Sequence, residues 1–135
     1  MDSEFAWEEL YDLEILWNSN NFGAVHDWLG ERWNYLIQSR PEGEGDKDAR
    51  FLQGLVFAAL VFYFTQNQNQ DGAAMLADDA LAALPEFLPS YRDVDVAPIL
   101  ETLNVLRPLL NGLEHEAECP LQPFVFNKFK YQPKV

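Results

Sequence analysis

Leu55–Phe64, LVFAALVFYF, is an apolar run of ten residues, and it limits the folds open to this chain more than any other segment. With its flanks it predicts a helix from about Lys47 to Gln66 that is apolar on every side over its middle. A helix of that kind has no face to show to water, so other helices must surround it. Ten residues is about half of the ~20 needed to span a bilayer, which favours a core helix over a membrane span. Gly54 lies inside this helix, where glycine costs about 1 kcal/mol against alanine. It therefore needs a packing reason, namely the close approach of a neighbouring helix.

The segments on either side supply the enclosing helices. Ala6, Leu10, Leu13 and Trp17 repeat with helical period near the N-terminus, with Asp2 or Ser3 as cap, until Asn18-Ser19-Asn20-Asn21 breaks the pattern. A second helix is predicted over about Phe22–Gln38, with Phe22, Val25, Leu29, Trp33 and Leu36 as its stripe and His26 on the same side. Arg40–Asp46, RPEGEGD, reads as a loop. Asn69 is placed to cap a fourth helix ending at Leu84, with Met75, Leu76, Ala80, Leu81 and Leu84 inward. Asp95 is placed to cap a fifth, which carries Val96, Ile99, Leu100, Leu103, Leu106 and Leu110 and should kink or stop at Pro108. The fold class expected is all-α: a bundle of about five helices around a central apolar one, with short loops and antiparallel neighbours.

Charge divides the chain. Of 135 residues with net charge −13, residues 1–118 hold all 22 acids and six of the nine bases, whereas 119–135 hold three lysines and no acid. The expected organisation is an acidic helical domain over 1–118 and an extended, basic, aromatic tail over 119–135. An acidic body repels nucleic acid and anionic lipid, so neither is expected as a partner, nor is membrane insertion. Cys119 has no second cysteine to pair with, and MDSEF opens without a basic or apolar leader. Both features point to the cytoplasm, or to an organellar stroma or matrix after import.

No zinc-type cysteine pair, phosphate loop, dinucleotide fingerprint or nucleophile elbow is present. Glu114-His115-Glu116-Ala117-Glu118 reads as a solvated acidic linker. The constellation worth weighing is AVHDWLGERW, residues 24–33. Together with FLQGL at 51–55 and NQDGAAMLADDALAAL at 69–84, it resembles the domain-of-unknown-function 309 family, small all-α proteins often described as predicted metal-dependent hydrolases. The resemblance extends over roughly residues 10 to 110. It aligns His26, Asp27, Leu29 and Trp33 with the family's histidine, following acid, leucine and tryptophan, and it implies a metal or catalytic role for His26 with Asp27. Ala24 and Gly30 stand where the family has glutamates. Because residues i and i+4 share a helix face, Gly30 removes the carboxylate best placed to join His26 on one ion.

From the residues themselves, His26 is expected as a buried imidazole hydrogen-bonded to Gln53, with no metal and no cofactor. In the tail, Phe124, Phe126, Phe129 and Tyr131 interleave with Lys128 and Lys130. Such a segment either folds back over the acidic body or anchors its aromatics on a partner protein, for instance in an apolar groove, with the lysines steering toward acid; the acidic body itself suits a partner with a basic surface. The function expected is a non-catalytic interaction or assembly module, with a metal-dependent hydrolase using His26 as the alternative.

Overall fold

The computed structural model describes residues 6–67, 69–110 and 129–133. Five helices pack together: α1 (Leu10–Asn18), α2 (Phe22–Ser39), α3 (Lys47–Gln66), α4 (Gln70–Ala83) and α5 (Ala97–Leu110). The central element is α3, flanked by α2 and α4; α1 lies on α2 and α5 on α4. By length and composition α3 could cross a membrane, yet 61% of its apolar window is buried inside the bundle. The all-α class with a central apolar helix is therefore the architecture observed.

Side-chain caps set three of the helix starts. Asn21 accepts from the Ala24 amide, Asp46 from Ala49 and Asn69 from Gly72, each satisfying one N–H that has no partner within its helix. Gly54 has its packing reason: a Cβ there would lie 2.7 Å from Leu84 Cδ2 and 3.2 Å from Leu84 Cγ. The α3–α4 contact is close because α4 turns small residues inward, Ala73, Ala77 and Ala80, with Leu84 at its end. Met75, expected inward, is 68% exposed, because the 73-77-80-84 stripe takes the inner face.

Other expectations are corrected at the helix ends. The helical face of α1 begins at Leu10, behind a 3-10 turn over Trp7–Glu9, and Ala6 is exposed. Pro108 does not stop α5, which continues to Leu110; Pro108 and Asn104, four residues back, are both exposed, so the lost hydrogen bond lies on the wet side. Asp95 does not begin a helix. It belongs to a two-stranded antiparallel ribbon, β1 (Ser90–Tyr91) and β2 (Val94–Asp95), which the sequence pattern did not reveal. The ribbon turns at Arg92 and Asp93, with φ of 51° and 65°. Positive φ at both central residues is the conformation that matches strand twist in a two-residue turn.

Tyr131 forms an isolated antiparallel bridge with Val94, so the described end of the tail lies along β2. Two aromatic clusters pack in the core. In one, Trp17 meets Phe22, Phe62 and, from the tail, Phe129; in the other, Phe51 and Phe87 meet Tyr91 of β1.

Candidate functional site

On the outer side of the α2–α3 pair, side chains one helical turn apart leave an open trough. Gly23 lies against the Tyr63 ring at one end, and Asn34 and Gln53 line the other, as antiparallel helices require. One cleft of about 280 Å³ is lined by His26, Gly30, Trp33, Asn34, Gln53, Val56 and Phe57. A second of about 340 Å³ is lined by Gly23, His26, Asp27, Leu60, Tyr63 and Phe64. His26 belongs to both, so the imidazole stands at the middle of the trough. From residue 23 to 34 the trough runs about 16 Å along α2, roughly three turns.

Two features keep the trough open. Gly30 contributes no side chain, and a Cβ built there meets nothing within 4 Å. On α3, the half-buried Val56, Phe57, Leu60 and Phe64 spread the apolar surface beyond what α2 and α4 cover. Trp33 forms part of the wall, and its indole Nε1 is buried without a hydrogen-bond partner among the described residues.

The buried His26–Gln53 pair is not formed. The His26 side chain is 45% exposed, and its Nδ1 lies 3.4 Å from Oδ1 of the neighbouring Asp27, itself 84% exposed. Both residues line the open trough and both are partly exposed, so burial does not force them into a hydrogen bond with each other. No group of three His, Cys, Asp or Glu side chains among the described residues is arranged to hold a metal ion. His26 and Asp27 do not fit the metal that the family resemblance implies, because Gly30, one turn on from His26, offers no donor, and Ala24 lies on the opposite side of the helix and has none either.

The tail candidates divide. Phe124, Phe126 and Lys128 lie outside the described residues, as do His115 and Cys119. Phe129 is 1% exposed, with its ring 5.1 Å from that of Trp17. Tyr131 is buried edge-on against Tyr11 at 4.8 Å, and Lys130 between them is exposed. Phe129 and Tyr131 thus dock on the chain's own body. Burial raises the Tyr131 phenol above its ordinary pKa, with Glu8, Tyr11 and Asp93 adding to the effect.

Sequence reasoning missed a buried ion cluster at the start of α3. The Asp48 carboxylate, 5% exposed, accepts from Tyr91 Oη at 2.5 Å and from Arg92 Nε and Nη2 at 3.1 and 2.7 Å; Arg40 Nη2 lies 3.1 Å away. Arg40 Nη1 also donates to Asp46 at 2.9 Å. Burial alone would raise the Asp48 pKa, but the hydrogen bonds from Arg92, Tyr91 and Arg40 and the charge of Arg92 hold it below the ordinary carboxylate value. The Tyr91 phenol is pushed up to about 12, by burial first and then by Asp48. The Arg92 guanidinium also lies over the Trp7 ring at 4.2 Å. These contacts hold Arg92 in its left-handed conformation and tie the ribbon to α3. Two acids and two arginines balance, so the cluster is a structural clamp. The only signal for it in the sequence is that Arg40, Asp46 and Asp48 bracket one loop.

A third cleft, about 390 Å³ between α4 and α5, contains Glu101 as its one titratable side chain and no nucleophile. No curated protein and no solved structure gives a significant match to the chain. A family model does: the one described as Domain of unknown function (DUF309) matches residues 11–76, so the trough, built from α2 and α3, falls inside the matched region while the ribbon and tail fall outside it. Over that segment, just under half its length, the chain resembles DUF309.

Proposed function

We propose that the chain is a non-catalytic protein-interaction module and that the α2–α3 trough is its docking surface. The observation that carries this reading is an open, largely apolar trough about three turns long, on a protein whose net charge is −13. An apolar channel between two antiparallel helices suits the apolar face of a third helix, with anchors at i, i+3/i+4 and i+7. The acidic surface adds attraction for a partner helix with lysine or arginine along its flanks, which chiefly raises association rate and specificity. Asp27, at the rim, is the lining carboxylate such a cation would meet.

Hydrolysis through His26 is the competing reading, and what favours it is the accessibility of the imidazole where the two clefts meet. Against it stands the donor count: one imidazole and the next residue's carboxylate cannot close a coordination shell.

The experiment uses a fluorescent amphipathic helix of leucine and lysine as probe. Binding should weaken at least tenfold in Phe57→Ser and in Gly30→Phe, which fills the trough, and should be unchanged in Val105→Ser on α5. Equal loss in all three variants, or no binding to the parent chain, overturns the proposal.

A further inference from the structure

We propose that α1 and the edge of β2 form a slot that reads an extended aromatic-basic-tyrosine peptide, and that the chain's own Phe129-Lys130-Tyr131 is a resident occupant which a partner protein's strand of the same pattern displaces. The slot addresses the peptide main chain from both sides. From α1, the Asn18 side chain accepts from Phe129 N–H at 3.2 Å and donates to Phe129 C=O at 2.9 Å, while Glu14 accepts from Tyr131 N–H at 2.8 Å. From the ribbon, Asp95 N–H donates to Lys130 C=O at 3.0 Å, and Gln132 N–H donates to Asp93 C=O at 2.8 Å.

One amide side chain that bonds both N–H and C=O of a single residue fixes peptide direction and register without using that residue's side chain. Specificity then comes from the alternating pockets, as in strand addition to a sheet edge. The first pocket takes an aromatic ring against Trp17, and the second takes a tyrosine against Tyr11. The residue between points outward, and the carboxylates of Glu14, Asp93 and Asp95 lie on the elements that flank it. That charge favours lysine or arginine at the middle position, the pattern this chain itself carries as Phe129-Lys130-Tyr131. A covalently attached occupant competes at an effective concentration of the order of millimolar, so the partner strand must be supplied tethered or in excess. The slot involves neither His26 nor the trough, and it stands or falls separately from the docking reading above.

The test cuts the full chain after folding. A site-specific protease sequence is inserted between Glu118 and Cys119, the purified protein is cleaved, and fluorescent peptide 127–135 is added. The expected result is exchange of labelled peptide into the slot, with at least tenfold weaker competition by peptides carrying Phe129→Ala or Tyr131→Ala. Replacing Asn18 by alanine in the body should weaken the labelled peptide about tenfold. On the uncut chain the same peptide should bind at least a hundredfold more weakly. Failure to exchange over a day, alanine peptides competing equally well, or unfolding of the body when the native peptide leaves would each overturn the proposal.

Discussion

Two glycines inside helices make a paired experiment whose outcomes should have opposite sign. Gly30 in α2 and Gly54 in α3 pay the same conformational penalty, so replacing either by alanine gains about 1 kcal/mol from helix propensity. At Gly30 the new methyl meets nothing within 4 Å, and that gain should appear in full. At Gly54 it would sit 2.7 Å from Leu84 Cδ2, 3.2 Å from Leu84 Cγ and 3.5 Å from Ala83 Cβ. Rotating the Leu84 methyl cannot clear the Cγ contact, and Leu84 is fully buried at the end of α4, so α4 itself must shift. Forced insertion of a methyl into a packed core costs about 1–3 kcal/mol, and the rigidity here points to the upper part of that range. The net expectation for Gly54→Ala is a loss of about 1–2 kcal/mol, set against a gain of about 1 for Gly30→Ala. Urea denaturation of the two variants beside the parent reads this directly, with midpoints separated by about 1–1.5 M for a slope near 2 kcal/mol per M. A Gly54→Ala protein as stable as the parent, with an unchanged slope, would refute the argument that close approach dictates this glycine.

Other consequences follow from the clamp, the trough and the tail. Because the folded pKa of Asp48 is depressed, its contribution is complete above the unfolded value of about 3.9 and is lost as pH falls through the lower folded value. Asp48→Asn should flatten that acid limb in a stability–pH series and cost about 1–3 kcal/mol at neutral pH: the carboxylate is buried, but Arg40 and Arg92, 20% and 40% exposed, keep part of their hydration. His26→Ala should leave thermal stability within about 0.5 kcal/mol, since the imidazole is half exposed and packs no core, and a calorimetric scan checks this. Gly30→Glu restores a carboxylate one turn from His26; elemental analysis after metal loading should show no stoichiometric transition metal in the parent and a gain in the variant. Phe129→Ala should cost about 3–5 kcal/mol in chemical denaturation, as for other buried phenylalanines.

Periodicity carried the helical bundle well, because a helix without a polar face must be central and because Asn69 stands where a cap is needed. It misassigned Met75, since small alanines beside a glycine give a tighter interface than a longer side chain and so capture the inner face. The ribbon over 90–95 left no pattern: two-residue strands are too short to alternate, and its turn uses Arg92 and Asp93 where glycine or asparagine would have signalled positive φ. For the candidate site, the residues around His26 were legible as a family motif. Their exposure was not, because it depends on which side chains of α2 and α3 face each other across the trough, and Gly30 supplies none. Asn18 read only as a helix breaker, although its side chain grips a residue 111 positions away. Partnerships at that separation have no local signature.

The clamp around Asp48 pairs two acids with two arginines, so it contributes nothing to the net charge of −13, which must reside elsewhere on the molecule and largely at its surface. Mutual repulsion of that surface works against the folded state, and added salt screens it over a Debye length of about 8 Å at 0.15 M. The same screening weakens attraction for a basic partner helix. Ionic strength should therefore pull in two directions, tightening the bundle while weakening the docking proposed for a basic helix.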